Sequence, residues 1–497
     1  MPKRDTNDAI LSPENTGRPH TVSNEQRTSS WVLVLRSSVA FDINFPWATV
    51  SSGFLLTLAL ACTELESGND TFGAQLEEDP SGAMSCADNE VLPGAHPNCP
   101  GNHRSETLGS LDGPLDITAD TTWSGEVART LAGDVVVRAP ATLTILPGVR
   151  VEAEAGAMLL VERGAKLVAA GTRVAPVVFT SAKPPGERQP GDWRGVVLTG
   201  YARSHTTNLP VYNTLDDARA HFGGGPNATN DADCGTLSYV RVEFAGGDTN
   251  EGGTPGAALT FAGCGSATRV EYVQVHRGTD GLGLVGGATP ILRAVISNTS
   301  PGDAVEWAGG YRGKIQYLVA QSGAAAGLVG NNAESQPNLE PVSRPEIYNA
   351  TIVGIRPLLE NGAHFGIVFR HGSSGIVRNS VIANFASAGL DLRGTTAIGE
   401  PNPEIVSHLL FWNNGPRGET QWTPAAEVLV SPSFRTKDPG LDLAIRRENP
   451  VFKASASTIN TDFAPIALGF DATATYRGAV PYDGEDWTLG WTDFPTD

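Results

Sequence analysis

Lysine is scarce in this chain: only Lys3, Lys166, Lys183, Lys314, Lys437 and Lys453 occur among 497 residues, against 54 acidic side chains and a formal net charge of −19. Lysine and arginine together number 35, outweighed by those acids, so a clustered basic surface that releases counterions from a nucleic acid is not expected, and no nucleic-acid partner either. Three methionines and 18% charged residues are too little of the Ala/Glu/Lys/Leu mixture from which helical proteins are made. Gly-x-Ser-x-Gly, His-Glu-x-x-His and a phosphate-cradling Gly-x4-Gly-Lys-Ser/Thr are all missing, which removes the sequence case for serine-hydrolase, zinc-protease and P-loop chemistry. Cysteine is limited to five residues, with no Cys-x-x-Cys and no pair of histidines at ligand spacing, so structural zinc has no support either.

What the chain has is turn formers, 57 Gly and 34 Pro, set between short β-branched runs. Asp134 to Arg138 (DVVVR), Ala141 to Leu146 (ATLTIL), Val149 to Glu152 (VRVE), Met158 to Val161 (MLLV), Lys166 to Val168 (KLV) and Val177 to Thr180 (VVFT) are each too short for a helix. Glycine-containing steps separate them, the punctuation of a tightly wound β coil.

A fixed period then appears. Gly286-Gly287 returns 23 residues on as Gly309-Gly310, Asp280 as Asp303, Leu282 as Val305, Leu284 as Trp307, and Leu292 to Val295 as Ile315 to Leu318. Leu328 follows Val305 at the same interval, and Gly366 to Arg370 (GIVFR) returns as Gly389 to Arg393 (GLDLR). This length suits one winding of a parallel β-helix with three short strands, whereas leucine-rich repeats would need an LxxLxL signature that is missing. Parallel crossover connections are right-handed by default. The expected fold is all-β: a right-handed parallel β-helix, a solenoid with protruding loops and a C-terminal cap. One winding alone must melt, because its few buried side chains at about 1.5–3 kcal/mol each do not offset an ordering cost of about 1–2 kcal/mol per residue.

The cysteines divide by position. Cys234 and Cys264 lie about one winding apart, so a disulfide stapling successive coils is expected. Cys86 and Cys99 bracket CADNEVLPGAHPNC, and closing that loop would stabilise by about 3 kcal/mol on the chain-entropy estimate. Both pairs suit an oxidising compartment. Cys62 ends the apolar stretch Gly53 to Cys62 (GFLLTLALAC), too short to span a bilayer and suited to the core of a signal peptide. Its Ala59-Leu60-Ala61-Cys62 ending resembles the bacterial lipoprotein signal box, which implies lipidation at Cys62, a membrane partner through the lipid anchor, and a cell-envelope address, either outer-membrane lipoprotein or secreted. The expected organisation is a leader with signal peptide and lipidation box over 1–62, a flexible acidic tether over 63–110, the β-helix over 111–420, and a C-terminal coil and cap over 421–497.

Several segments together resemble an uncharacterised family of bacterial right-handed parallel β-helix lipoproteins: Gly191 to Ala202 (GDWRGVVLTGYA), Leu237 to Gly246 (LSYVRVEFAG), Val270 to Leu282 (VEYVQVHRGTDGL), Gly310 to Ala320 (GYRGKIQYLVA), Pro345 to Gly354 (PEIYNATIVG) and Asp486 to Phe494 (DWTLGWTDF). The likeness implies a fold and brings no catalytic residues. The family's acidic runs are thinned here to Thr279-Asp280-Gly281 and Gly302-Asp303.

Asp280 and Asp303 are expected on successive windings about 4.8 Å apart, where with Glu306 they would either hold Ca²⁺, the one candidate cation, or cap turns through local hydrogen bonds. Arg312 and Lys314 beside such acids are the ingredients of a uronate lyase, and Asp391 with Glu306 or Glu360 those of a glycosidase. Trp307 takes the inward register of Leu284, Trp487 and Trp491 are expected to close the end of the coil, and Trp193, Trp412 and Trp422 would stack on sugars wherever exposed. The functional expectation is a non-catalytic surface, binding or structural module that meets a glycan or surface protein, without a resident cofactor. The alternative is a carbohydrate-active lyase or hydrolase.

Overall fold

A computed structural model of the chain describes residues 104–496 except 111, 206–220, 247–255, 356–363, 394–405, 430–432, 442–452, 455–458, 460, 462 and 467–468. Cys62 with its signal segment, the tether up to 103, the Cys86 and Cys99 pair, Glu360 and the loop 395–404 lie outside the described residues.

The architecture is a parallel β-helix built from two parallel sheets, one of ten strands and one of seventeen. Side chains one winding apart stack directly over one another. Val135, Leu159, Val196, Leu259, Leu282, Val305, Leu328, Ile367 and Leu390 form one such inward column through the ten-stranded sheet. All nine are almost fully buried. Burial of this column and its neighbours, at about 25 cal/mol per Å² of apolar surface, is what a single winding could not supply.

The larger sheet serves two faces of the coil because its long strands bend in the middle. In Gly235–Glu243 the inward residues are Leu237, then Val240 and Val242, so the alternation slips at Tyr239. Tyr239 has a φ of 49°, and its counterparts on the following windings, Tyr272, Arg293, Tyr317, Asn349, Asn379 and His408, are all left-handed too. A non-glycine residue in this conformation costs about 1–2 kcal/mol. Contacts along the corner offset it: the Tyr239 and Tyr272 rings stack at 4.3 Å, and the Arg293 guanidinium lies 5.1 Å from both the Tyr272 and Tyr317 rings.

On the ten-stranded sheet the period of 23 holds from Leu259 to Leu328 and again from Ile367 to Leu390, and it slips on the other sheet, where Ile291 pairs with Ile315 and Leu292 with Gln316, an interval of 24. The extra residue lies between Gly310 and Ile315, a turn in which Tyr311 tucks wholly inside and donates its hydroxyl to the Thr289 carbonyl at 2.7 Å. Trp307 is core, as expected. It packs edge-on to Phe369, donates its indole N–H to Ser373 and overlies Gly330, where a Cβ would come within 2.6 Å of the indole.

The Cys234–Cys264 disulfide forms, with Cα atoms 5.7 Å apart and both residues fully buried. The first strand, Arg104–Leu108, already pairs with Val127–Leu131, and the coil continues to Arg435–Thr436, so it starts before 111 and runs past 420. Trp422, edge-on to Phe411 and Phe434, packs beside this last winding.

The Trp487 and Trp491 pair does not close an end. Both sit against the side of the coil, with Trp491 edge-on to Tyr239 and Tyr272 and packed with Val295 and Val319. The described parts of the C-terminal segment run back along the bent strands. Phe463 stacks on His408 at 4.0 Å, Phe470 meets Tyr348, and Asp471 accepts the Tyr317 hydroxyl at 2.7 Å. A lateral strap wins over an end cap because this side carries two apolar outward patches, Val295 with Val319 and Val381 with Leu410, that pack under Ala479, Val480, Trp491 and Phe494 and under Ala454 and Ile459 of the tail.

Candidate functional site

The outward face of the ten-stranded sheet carries a different chemistry. Between the inward positions stand Glu306, Val329, Val368 and Asp391 in register, and one step along stand Arg370 and Arg393, also in register. Alternation puts them on this face and the rung spacing stacks them. The connections 200–234, 331–345 and 394–405 follow strands of this sheet, and 247–255 and 356–363 precede strands of it.

Two polar groups are organised there. In the first, Asn331 donates to Glu306, and its carbonyl oxygen accepts from Arg370 Nε at 2.7 Å and from His371 Nδ1 at 3.0 Å. Arg370 also lies 3.8 Å from the Glu306 carboxylate. In the second, Asp391 accepts from Arg393 Nε at 2.6 Å and from the Thr423 hydroxyl at 2.7 Å, while the Arg393 guanidinium stands 4.6 Å from the Phe365 ring.

At the edge of the face, Asp280 and Asp303 behave as rung ties. Asp280 Oδ1 accepts the Asp303 backbone N–H at 2.6 Å, and Asp303 Oδ1 accepts the Ala326 N–H at 2.8 Å. Gly302 is required beside them, since a Cβ there would lie 1.7 Å from Asp280 Oδ1. Burial pushes the Asp280 carboxyl up to about 8, with the Asp303 and Glu306 charges adding to it. Asp303 is raised by burial, and Glu306 by burial and by Asp303.

In this geometry the three carboxylates of the expected Ca²⁺ triad, Asp280, Asp303 and Glu306, are each engaged by the protein's own N–H groups. Two are occupied by backbone N–H groups and the third by Asn331, and among the described residues no three His, Cys, Asp or Glu side chains come together to hold a metal. Arg312 and Lys314 do not join the acids. Arg312 donates to the Val342 carbonyl, and Lys314 starts a strand of the other sheet, 5.7 Å from the Phe470 ring. His364 is fully buried, with ring contacts to the Ser322 carbonyl and the Ala386 N–H. Of the tryptophans weighed for sugar stacking, Trp193 is core, bonded to the Glu243 carbonyl, and Trp412 is exposed.

His364 and His371, which flank IVFR seven residues apart, stand out in the sequence, but sequence reasoning missed Asn331, Arg370, Arg393 and Thr423. The arginines were within reach, since GIVFR and GLDLR end in Arg at the rung interval. Asn331 and Thr423 belong to no repeat.

A family model described as the pectate-lyase-like β-helix domain matches residues 115–414. The chain belongs to that family. Its match begins at Leu115, the first inner strand of the ten-stranded sheet, and ends at Asn414, just past Leu410–Trp412. Comparison with curated proteins gave no match. Among solved structures, the catalytic domain of a GH87 α-1,3-glucanase in complex with nigerose is similar at 11% identity and a TM-score of 0.20, with 69% of this chain covered. This chain spans 65% of the length of that structure.

Proposed function

We propose that this β-helix protein is an exported cell-envelope module, anchored through a lipid on Cys62, that binds a hydroxyl-rich chain such as a glycan along the outward face of its ten-stranded sheet without cleaving it. One observation carries the reading. The face presents two pre-ordered donor and acceptor groups, Glu306-Asn331-Arg370-His371 and Asp391-Arg393-Thr423, on stacked rungs, and each of their carboxylates is already held by an arginine or amide. Fixed polar groups at a regular spacing suit an extended, repeating ligand, since little ordering cost remains to be met on binding. Long connections flank the sheet, and loops positioned by a rigid scaffold are where binding residues concentrate.

The test is a glycan-binding screen with the full chain, followed by Arg370→Ala/Arg393→Ala. Retained glycans that the double variant releases, with no new reducing ends after long incubation, support the proposal. Equal retention by the variant overturns the assignment of the face. Labelling of the expressed protein with a fatty-acid analogue, lost in Cys62→Ser, tests the anchor.

A second reading, a carbohydrate-active enzyme on the same sheet, draws on one feature. Asp280 holds a proton to about pH 8 beside the carboxyls of Asp303 and Glu306, which is how an acid and a base come to coexist. New reducing ends or unsaturated products from polysaccharides, abolished in Asp280→Asn, would favour it over the first.

A further inference from the structure

The end of the C-terminal strap is held differently from the rest of it. Gln274 pairs with the Asp493 main chain in both directions, taking its N–H at 3.0 Å and giving an amide N–H to its carbonyl at 2.7 Å. Arg241 reaches the Asp493 carboxylate at 2.9 Å. His276, on the same strand as Gln274, closes the contact: its Nε2 lies 2.8 Å from the Pro495 carbonyl and its Nδ1 lies 3.0 Å from the Ser297 hydroxyl. A carbonyl can only accept, so Nε2 carries the proton and Nδ1 accepts from Ser297. The imidazole is 1% exposed and flanked edge-on by Phe494 and Phe244.

We propose that the last turn of the strap, 486–496, is a latch that His276 holds closed near neutral pH and releases on acidification. A second proton on the ring would sit on Nδ1, facing a hydroxyl that must then turn its own proton toward the Val275 carbonyl at 3.4 Å. Water cannot reach the ring to help while the latch is shut. The charged groups around it come from every packed element. Glu243 and Arg241 lie on one neighbouring strand, Arg150 stands beyond Glu243, Arg277 follows His276 on its own strand, and Asp493 comes from the tail. The Pro495 carbonyl and Glu243, itself engaged by Arg241, favour a charged ring, Arg277 and Arg241 oppose it, and burial outweighs them all.

The docked ring is pushed by burial down to about 4 from its ordinary 6.5. A group depressed on docking favours the closed form above 6.5 and loses that contribution as pH falls toward 4, so between pH 7.5 and 5 the docking equilibrium should weaken roughly 25-fold. What opening uncovers is the stacked pair Tyr239 and Tyr272 and the Gln274 amide, a surface that reads peptide main chain and aromatic rings.

Hydrogen exchange on the full chain, corrected for intrinsic rates, tests this. Protection of 486–496 should fall roughly 25-fold from pH 7.5 to 5, while 474–480, held by Asn349 and Thr351, keeps its protection. His276→Gln can still donate to Pro495 but does not titrate, so its protection should stay flat with pH. Asp493→Asn removes the carboxylate and keeps the histidine, so its pH dependence should persist. Unchanged protection of 486–496 in the parent, or a retained pH response in His276→Gln, overturns the proposal. A response lost in Asp493→Asn overturns it as well, by moving the sensor to the carboxylate.

Discussion

Two sides of the same coil repeat at the rung spacing and yet present opposite surfaces. Along the bent strands, the outward row combines Val295, Val319, Val381 and Leu410 with Arg241, Gln274 and Thr351, and the chain lays its own tail over it. On the ten-stranded sheet, Glu306, Asp391, Arg370 and Arg393 stand around Val329 and Val368, with the charged groups paired among themselves and left open to solvent in part. The lesson is that a parallel β-helix has one interior but separately tunable exteriors. The inward column must be apolar on every rung, while each outward row is free to be covered or presented.

The largest way to break the contrast is Trp491→Ala. It removes a fully buried indole from between Tyr239, Tyr272, Val295 and Val319, so unfolding stability should drop by about 3–5 kcal/mol in urea titration, and the tail should become protease-sensitive. A loss below 1 kcal/mol would mean that the strap is not integral to the fold. Removing the Cys234–Cys264 disulfide as a double serine variant comes next, at about 2–4 kcal/mol in the same assay, because it frees two windings of the unfolded chain and leaves two polar groups in the core.

Asp280→Asn should act in the other direction and only at higher pH. The native carboxyl is held at about 8 against an ordinary 3.8, so its burden on stability is nil below pH 4, grows as pH rises, and is complete above pH 8. The amide keeps the acceptor for the Asp303 N–H and carries no charge. The variant should therefore melt with the parent at pH 4 and above it at pH 8. A parent whose melting temperature does not fall over that range, relative to the variant, would refute the buried-acid assignment. The smallest effect belongs to the open face: Arg393→Ala should change stability by less than about 1 kcal/mol, its guanidinium being 43% exposed, while altering any ligand retention. A large stability loss there would mean that this face, too, is structural.

The winding was legible from repeated spacing alone, because residues one rung apart must share a column and so share a chemical type: Leu282 and Val305, or Ile367 and Leu390, could be paired without coordinates. The Cys234–Cys264 staple followed from the same spacing. The register of the bent strands did not, since a single extra residue enters the turn between Gly310 and Ile315 and leaves the hydrophobic pattern on either side intact. The polar face was half legible, through the arginines that close GIVFR and GLDLR. Its partners Asn331 and Thr423 come from connections that obey no period.

The amino-acid order by itself settled the class of fold, the rung length and the inward column, because burying an apolar row at a constant interval is a local, repeating requirement. Only the tertiary structure decided where the tail goes, that Asp280 and Asp303 tie rungs together, and that His276 ends up sealed beneath Pro495. Those depend on contacts between residues as far apart as 276 and 495, whose cost in chain entropy is met by the whole column at once and leaves no periodic mark in the sequence.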